Sequence, residues 1–124
     1  MSSPNIVNVT AIYGNSASVS LSTTSATQLA SNAAASGKVF KVNSIVVSNT
    51  NGSSAANITI NVYSAASMGG TAFPIASTIS VPANATLIVT DKTTSFYLLE
   101  NQSIGAVAGT ANYLTVTASW EEIS

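Results

Sequence analysis

Between Lys38 and Ser64 the chain reads KVFKVNSIVVSNTNGSSAANITINVYS. Two runs of β-branched and aromatic residues flank a cluster of Asn, Gly and Ser. In the second run Ile58, Ile60 and Val62 alternate with Thr59, Asn61 and Tyr63. Successive side chains of a strand point to opposite faces, so a period of two describes a half-buried strand rather than a helix. Asn51-Gly52 tolerates positive φ at both positions, the strongest short-range cue for a hairpin. The stretch therefore predicts strands over Lys38–Ser48 and Asn57–Ser64, joined by a turn at Asn49–Ser54.

The same reading extends along the chain. Strands are expected at Ile6–Tyr13, Ser16–Ser22, Phe73–Val81, Ala85–Thr90, Phe96–Leu99, Ser103–Ala108 and Tyr113–Ile123, with a weaker one at Thr27–Ser31. The segment through Ala33–Ala35 also suits a short helix by propensity, and Gly37 ends it in either case. Pro74 cannot donate to a ladder, which puts the start of its strand at an edge or a bend. Strands at intervals of about ten residues, each closed by a turn signal, fit an antiparallel sandwich. Clean alternation argues against a parallel sheet covered on both faces. The expected fold is all-β: a single antiparallel β-sandwich, jelly-roll-like, of about eight strands. Residues 1–36 read as an N-terminal arm and weak strands, and 37–124 as the sandwich core of one domain.

Charge is the second constraint. Among 124 residues there are three Lys, no Arg, one Asp and three Glu, giving a net charge of −1. Charged residues are 6%, against about 25% in an average domain. Three Lys cannot build the basic face that phosphate neutralisation needs, so neither nucleic acid nor an anionic membrane surface is an expected partner. Apolar runs such as Ile45-Val46-Val47 are far shorter than the roughly 18 residues of a spanning helix. The N-terminus MSSPNIVNVT carries no basic region and no apolar stretch of signal-peptide length, so synthesis in a cytoplasm without export by a signal peptide is expected.

Chemistry is equally constrained. The chain has no His and no Cys. That removes a Ser–His–Asp arrangement, a thiolate nucleophile, soft metal ligands and any disulfide. Glu121 and Glu122 adjoin, but adjacent strand residues face opposite ways. Asp91 stands beside Lys92 without the clustered carboxylates that calcium requires. Gly69-Gly70 has no following Lys and no helix, so it is no phosphate loop. The N-x-[ST] triplets at Asn8, Asn51, Asn57, Asn84 and Asn101 are no more than this composition supplies. The expectation is a non-enzymatic protein with no catalytic residue, no metal and no cofactor.

Candidate core or interface residues are Val42, Ile58, Ile60, Val62, Tyr63, Val116 and Trp120. Trp120 runs in phase with Leu114, Val116 and Ala118, which places it in the core or at the centre of a subunit contact. Tyr63 lies opposite the Ile58/Ile60/Val62 face, as a surface tyrosine or an interface anchor. Thr115 and Thr117 share a face but form a pair, not an array. Tyr13 with Asn15 is the best local candidate for stacking on a sugar.

Edge strands need protection, usually by Lys, Pro or bulges. From Val42 to Thr90 no residue is charged, and only Pro74 and Pro82 interrupt the pairing potential. Ala, Ser, Thr and Asn make up 67 of the 124 residues. Such a surface stays hydrated through hydroxyls and amides, yet it packs against a neighbour at less desolvation cost than charge. Association with further copies is the expected use of it.

The runs GKVFKVNSIVVSNTNG, ITINVYS, IASTISVPANATLIVTDKTTSFYLLENQSI and LTVTASWEEIS resemble small virion structural proteins of tailed phages, particularly those of marine cyanophages. The resemblance covers Gly37 to the C-terminus and is most specific at STISVPANATLIVTDK and SWEEIS. It implies a capsid decoration or cement protein, a homo-oligomer with a trimer favoured, bound to the major capsid protein or other virion proteins. Neck, tail or fibre accessory roles, and a carbohydrate-binding module for host recognition, are its alternatives. In the related pattern the turn before the penultimate strand tends to be acidic; here it is Glu100-Asn101-Gln102, which argues against a metal there.

Overall fold

A computed structural model describes residues 7–124 of the chain. It contains nine strands: β1 Ile12–Ser20, β2 Thr27–Asn32, β3 Val39–Asn49, β4 Ala56–Ala65, β5 Gly69–Val81, β6 Thr86–Thr90, β7 Phe96–Leu98, β8 Gln102–Ala108 and β9 Leu114–Ile123. One sheet runs β1-β9-β3-β6, with β7 also on β3; the other runs β2-β8-β4-β5. All pairs are antiparallel. β6 pairs with Ile45–Ser48 and β7 with Phe40–Val42, so they are two halves of one edge position, split by a 3-10 turn at Lys92–Thr94. Counted so, the order is that of an eight-position jelly roll.

The core lies between the sheets. Leu21, Ile45, Val47, Ile58, Ile60, Val81, Leu98, Ala106 and Val116 are fully enclosed. β3 changes phase to supply it. Phe40 and Val42 point inward, Asn43 is bulged out between Val42 and Ser44, and Ile45, Val47 and Asn49 point inward beyond it. A bulge adds one residue, which swaps the faces of every later residue in the strand. The Asn43 amide then donates to Glu121 Oε1 at 3.0 Å.

Three sequence expectations are corrected by this architecture. The Asn49–Ser54 turn does not make a hairpin, because β3 and β4 lie in different sheets. Its chemistry is local: the Asn51 side-chain oxygen accepts from the N–H groups of Ser53 and Ser54, both at 2.8 Å. An Asx turn reverses the chain without specifying pairing. Nor are there two strands over the described part of residues 6–22. A single β1 passes through Gly14-Asn15 without a break, because each of its residues has a partner on β9. The stretch Ala33–Gly37 is a turn, with positive φ at Ala35 and Gly37, rather than a helix.

Two buried asparagines tie the crossings together. The Asn49 amide donates to the carbonyls of Val81 at 2.9 Å and Ser54 at 3.0 Å, while its oxygen accepts from Asn51 N–H. The Asn32 amide donates to the carbonyls of Lys38 and Leu98, and its oxygen accepts from the Ser36 hydroxyl. Replacing Asn49 by Leu strands a buried carbonyl and a turn N–H. We expect Asn49→Leu to lower unfolding free energy in a urea titration by about 2–3 kcal/mol, an unsatisfied group costing roughly 1–3. A loss below half of that would show the loop holding without this residue.

Candidate interaction surface

Every residue singled out from the sequence as core or interface faces inward or is covered. Val42, Ile58, Ile60 and Val116 are core residues, and Val62 packs against the core. Tyr63 is buried although it lies on the outer face of its sheet. Gly105 leaves room for it there: a Cβ at that position would stand 3.0 Å from the Tyr63 ring and 2.7 Å from Met68 Sδ. Trp120 stacks on Phe40 with ring centroids 6.2 Å apart. Its Nε1 is the one buried side-chain polar atom without a hydrogen-bond partner among the described residues.

The exposed large apolar side chains lie elsewhere, Val7, Ile12 and Tyr13 before and at the start of β1 and a second group on β5, β6 and β7. Phe73, Ile75 and Ile79 on β5, Ile88 on β6 and Tyr97 on β7 are all exposed, Ile88 to 60%. These strands form one side of the sandwich, where both sheets end. Phe73 pairs across with Val62 and Ile79 with Ile58, so both stand on the core-facing side of their sheet. They stay exposed because the other sheet stops short of them. Ile75, Val89, Thr90, Thr94 and Phe96 line a shallow cleft of about 220 Å³ between the two edges. Ile88 and Tyr97 stand opposite Val46 and Lys41 on the outer face of their sheet, so they flank this edge on a different face from Phe73 and Ile79.

Local chemistry keeps these edges from being simple templates. β5 opposes β4 with three register shifts. One falls beside Thr78, whose φ is +50° and whose N–H bonds to Thr59 Oγ1 at 3.0 Å. Bulges and Pro74 twist an edge away from a would-be partner strand. On the opposite lip, the 3-10 turn is closed by a capping box between Asp91 and Thr94. The Thr90 hydroxyl adds a bond to the Thr94 carbonyl at 2.9 Å.

The outer face of the β1-containing sheet is hydroxylated beyond what the Thr115/Thr117 pair suggested. In cross-strand register, Ser20, Thr115, Ser48 and Thr86 make one row. Ser18, Thr117, Val46 and Ile88 make the next, where the Ser18 and Thr117 hydroxyls are 3.0 Å apart. Periodicity within one strand shows only its own face; a row needs the register of four. Tyr13 is 63% exposed, but the Asn15 amide beside it is committed to Glu122 at 2.9 Å. Glu122 also takes the Lys38 ammonium at 3.3 Å. Glu100 is buried, and its carboxylate accepts from Gly37 N–H. No group of three or more acidic side chains comes together among the described residues.

No family model matches the chain, and no curated protein matches it. Solved structures do. One is a chain from a study reporting that Bacillus endospore appendages form a novel family of disulfide-linked pili. It has a TM-score of 0.51 and 16% identity, covering 91% of this chain and 88% of that one. At that identity the likeness speaks for the sandwich fold. The disulfide link named for those pili has no counterpart here, because this chain lacks cysteine.

Asp91 carries a pH signature. The Thr93 hydroxyl and then the Thr93 N–H bond to its carboxylate and hold it below the ordinary 3.8. A depressed carboxyl adds stability that is complete above the unfolded value and is lost as pH falls through the folded one. A carboxyl-detected NMR titration should give Asp91 a midpoint below 3.8, and Thr93→Val should move it back up. An unperturbed midpoint would mean that the cap is open in solution.

Proposed function

We propose that the protein is a non-enzymatic structural module that works by binding further copies of itself, and that it belongs to the virion of a tailed phage. There its role is that of a capsid decoration or cement protein seated on the major capsid protein as a homo-oligomer, with a trimer as the favoured form. The observation that carries this reading is the apolar side of the sandwich, where Phe73, Ile75 and Ile79 of β5, Ile88 of β6 and Tyr97 of β7 all stand exposed on a domain almost without charge. Burying that side against a neighbour supplies hydrophobic free energy, and the surrounding Ser and Thr residues dehydrate at low cost. The resemblance of Gly37–Ser124 to small virion proteins supports the location. The sequence without His or Cys, and the lack of any cluster of three acidic side chains among the described residues, support the non-enzymatic part of the reading.

The second reading keeps the assembly and changes the place: a tail, neck or fibre component. It is favoured by the likeness to an appendage subunit. Copy number per particle separates the two readings, high for decoration and a small multiple of three or six for a tail part.

The test is light scattering on the purified chain across a concentration series, followed by mixing with empty capsids. The wild type should form a defined oligomer. Phe73→Lys combined with Ile79→Lys should weaken it by about tenfold or more, since each lost apolar contact is worth about 1.5–3 kcal/mol and 1.4 kcal/mol is tenfold. A wild type that stays monomeric and ignores capsids would overturn the proposal.

A further inference from the structure

The jelly roll has four sheet edges among the described residues, and three are blunted. β5 is bulged and carries Pro74. β6 and β7 are interrupted by the turn bearing Asp91 and Lys92. β2 is six residues long with a register shift between Gln28 and Ala30. β1 differs. Its nine residues pair with β9 in unbroken register from Ile12–Ile123 to Ser20–Thr115, with no proline, bulge or charge.

The hydrogen-bond phase of β1 fixes which of its groups are open. Ala11 and Ser124 exchange both bonds, at 3.1 and 2.9 Å, and Leu21 N–H reaches the Leu114 carbonyl at 2.9 Å. In an antiparallel pair bonded residues alternate with residues whose N–H and C=O point away. Tyr13, Asn15, Ala17 and Val19 therefore bond to β9. Ile12, Gly14, Ser16, Ser18 and Ser20 turn both backbone groups outward, and all five are exposed. Their side chains are short apart from Ile12, and a Cβ on Gly14 would meet nothing within 4 Å.

We infer that β1 is a two-fold joint, pairing antiparallel with β1 of a second copy to make one continuous sheet from two. This rests on the reading of the chain as a self-associating module. The occupant is set by the edges themselves: an unguarded edge needs another unguarded edge, and among those described β1 alone qualifies. A two-fold contact uses the same patch on both copies, so no second surface is required. Full overlap centres the pair on Ser16, with Gly14 opposite Ser18 and Ile12 opposite Ser20 of the second copy. No charge lies on β1, so no like charges meet across the axis. The joint is on the side of the sandwich away from β5, β6 and β7, so both contacts can form at once.

Ser16→Pro tests it. The Ser16 N–H points away from β9, and an edge position tolerates proline there. The wild type should contain a dimeric unit of about 25 kDa, twice the 12.5 kDa chain. Amides of Ile12, Gly14, Ser16, Ser18 and Ser20 should exchange slowly in it. Ser16→Pro should abolish that unit with unchanged circular dichroism, whereas Ala17→Pro, which removes a bond to β9, should destabilise the fold itself. Should Ser16→Pro fail to fold, Ser16→Lys and Ser16→Glu serve instead: each alone dissociates, and the two mixed re-form the dimer at least tenfold more tightly than either. Oligomers insensitive to all three Ser16 variants, with those amides exchanging freely, overturn this joint but leave the self-assembly reading standing. A wild type monomeric at every concentration overturns both.

Discussion

A β-sheet satisfies its backbone only between strands. At its margins the same groups must find water, another chain or a local substitute. The architecture can be read as a set of answers to that constraint. Each sheet places a late strand at its centre, β9 between β1 and β3 and β8 between β2 and β4. Among the described residues that leaves four margins and almost no charge to defend them. Three are managed by geometry: bulges along β5, a capped 3-10 turn between β6 and β7, and a short irregular β2. The fourth is left straight.

Inside, the constraint is met by side chains standing in for backbone. Asn32 and Asn49 are buried amides whose donors and acceptors close the loops that cross between sheets. They play the part that a ladder would play if the crossing segments were paired. A half-satisfied version of either would cost more than an apolar residue in a matching pocket. Both sites are satisfied here, and the loops they hold set the sheet-to-sheet jumps that make the topology a jelly roll rather than a meander.

Much of this is legible in the sequence. Alternation in Asn57–Ser64 marks β4 with its inward face, and the Leu114/Val116/Ala118 phase marks β9. Pro74 flags an edge strand, although it lies within β5, opposite Asn61, and not at its start. What a single chain segment does not encode is which strands share a sheet. Asn51-Gly52 announces a reversal, but its Asx geometry serves a crossing as well as a hairpin. Gly14-Asn15 looks like a break and is not one, because β9 supplies a partner on both sides of it. The inward residues Val42, Ile58, Ile60 and Val116 follow from local pattern. The exposed apolar side does not: Phe73 and Ile79 have core-like phase, and their exposure arises from where the facing sheet ends. Phase places Trp120, but its unpartnered Nε1 depends on neighbours from other strands. Tyr63 is ambiguous from its own strand, because Gly105 and Met68, distant in sequence from one another, shape the site that covers it.

The interleaved strand order also governs when the molecule can exist at all. Until Gln102–Ala108 is available, β2 has no neighbour to join it to β4, and until Leu114–Ile123 is available, β1 is not connected to β3. During synthesis the earlier strands therefore wait, extended and apolar, for the last strands to leave the ribosome, as expected when contacts are distant in sequence. With so little charge to hold that waiting chain apart from others, its hydration falls to the Ser, Thr and Asn side chains that also coat the finished surface.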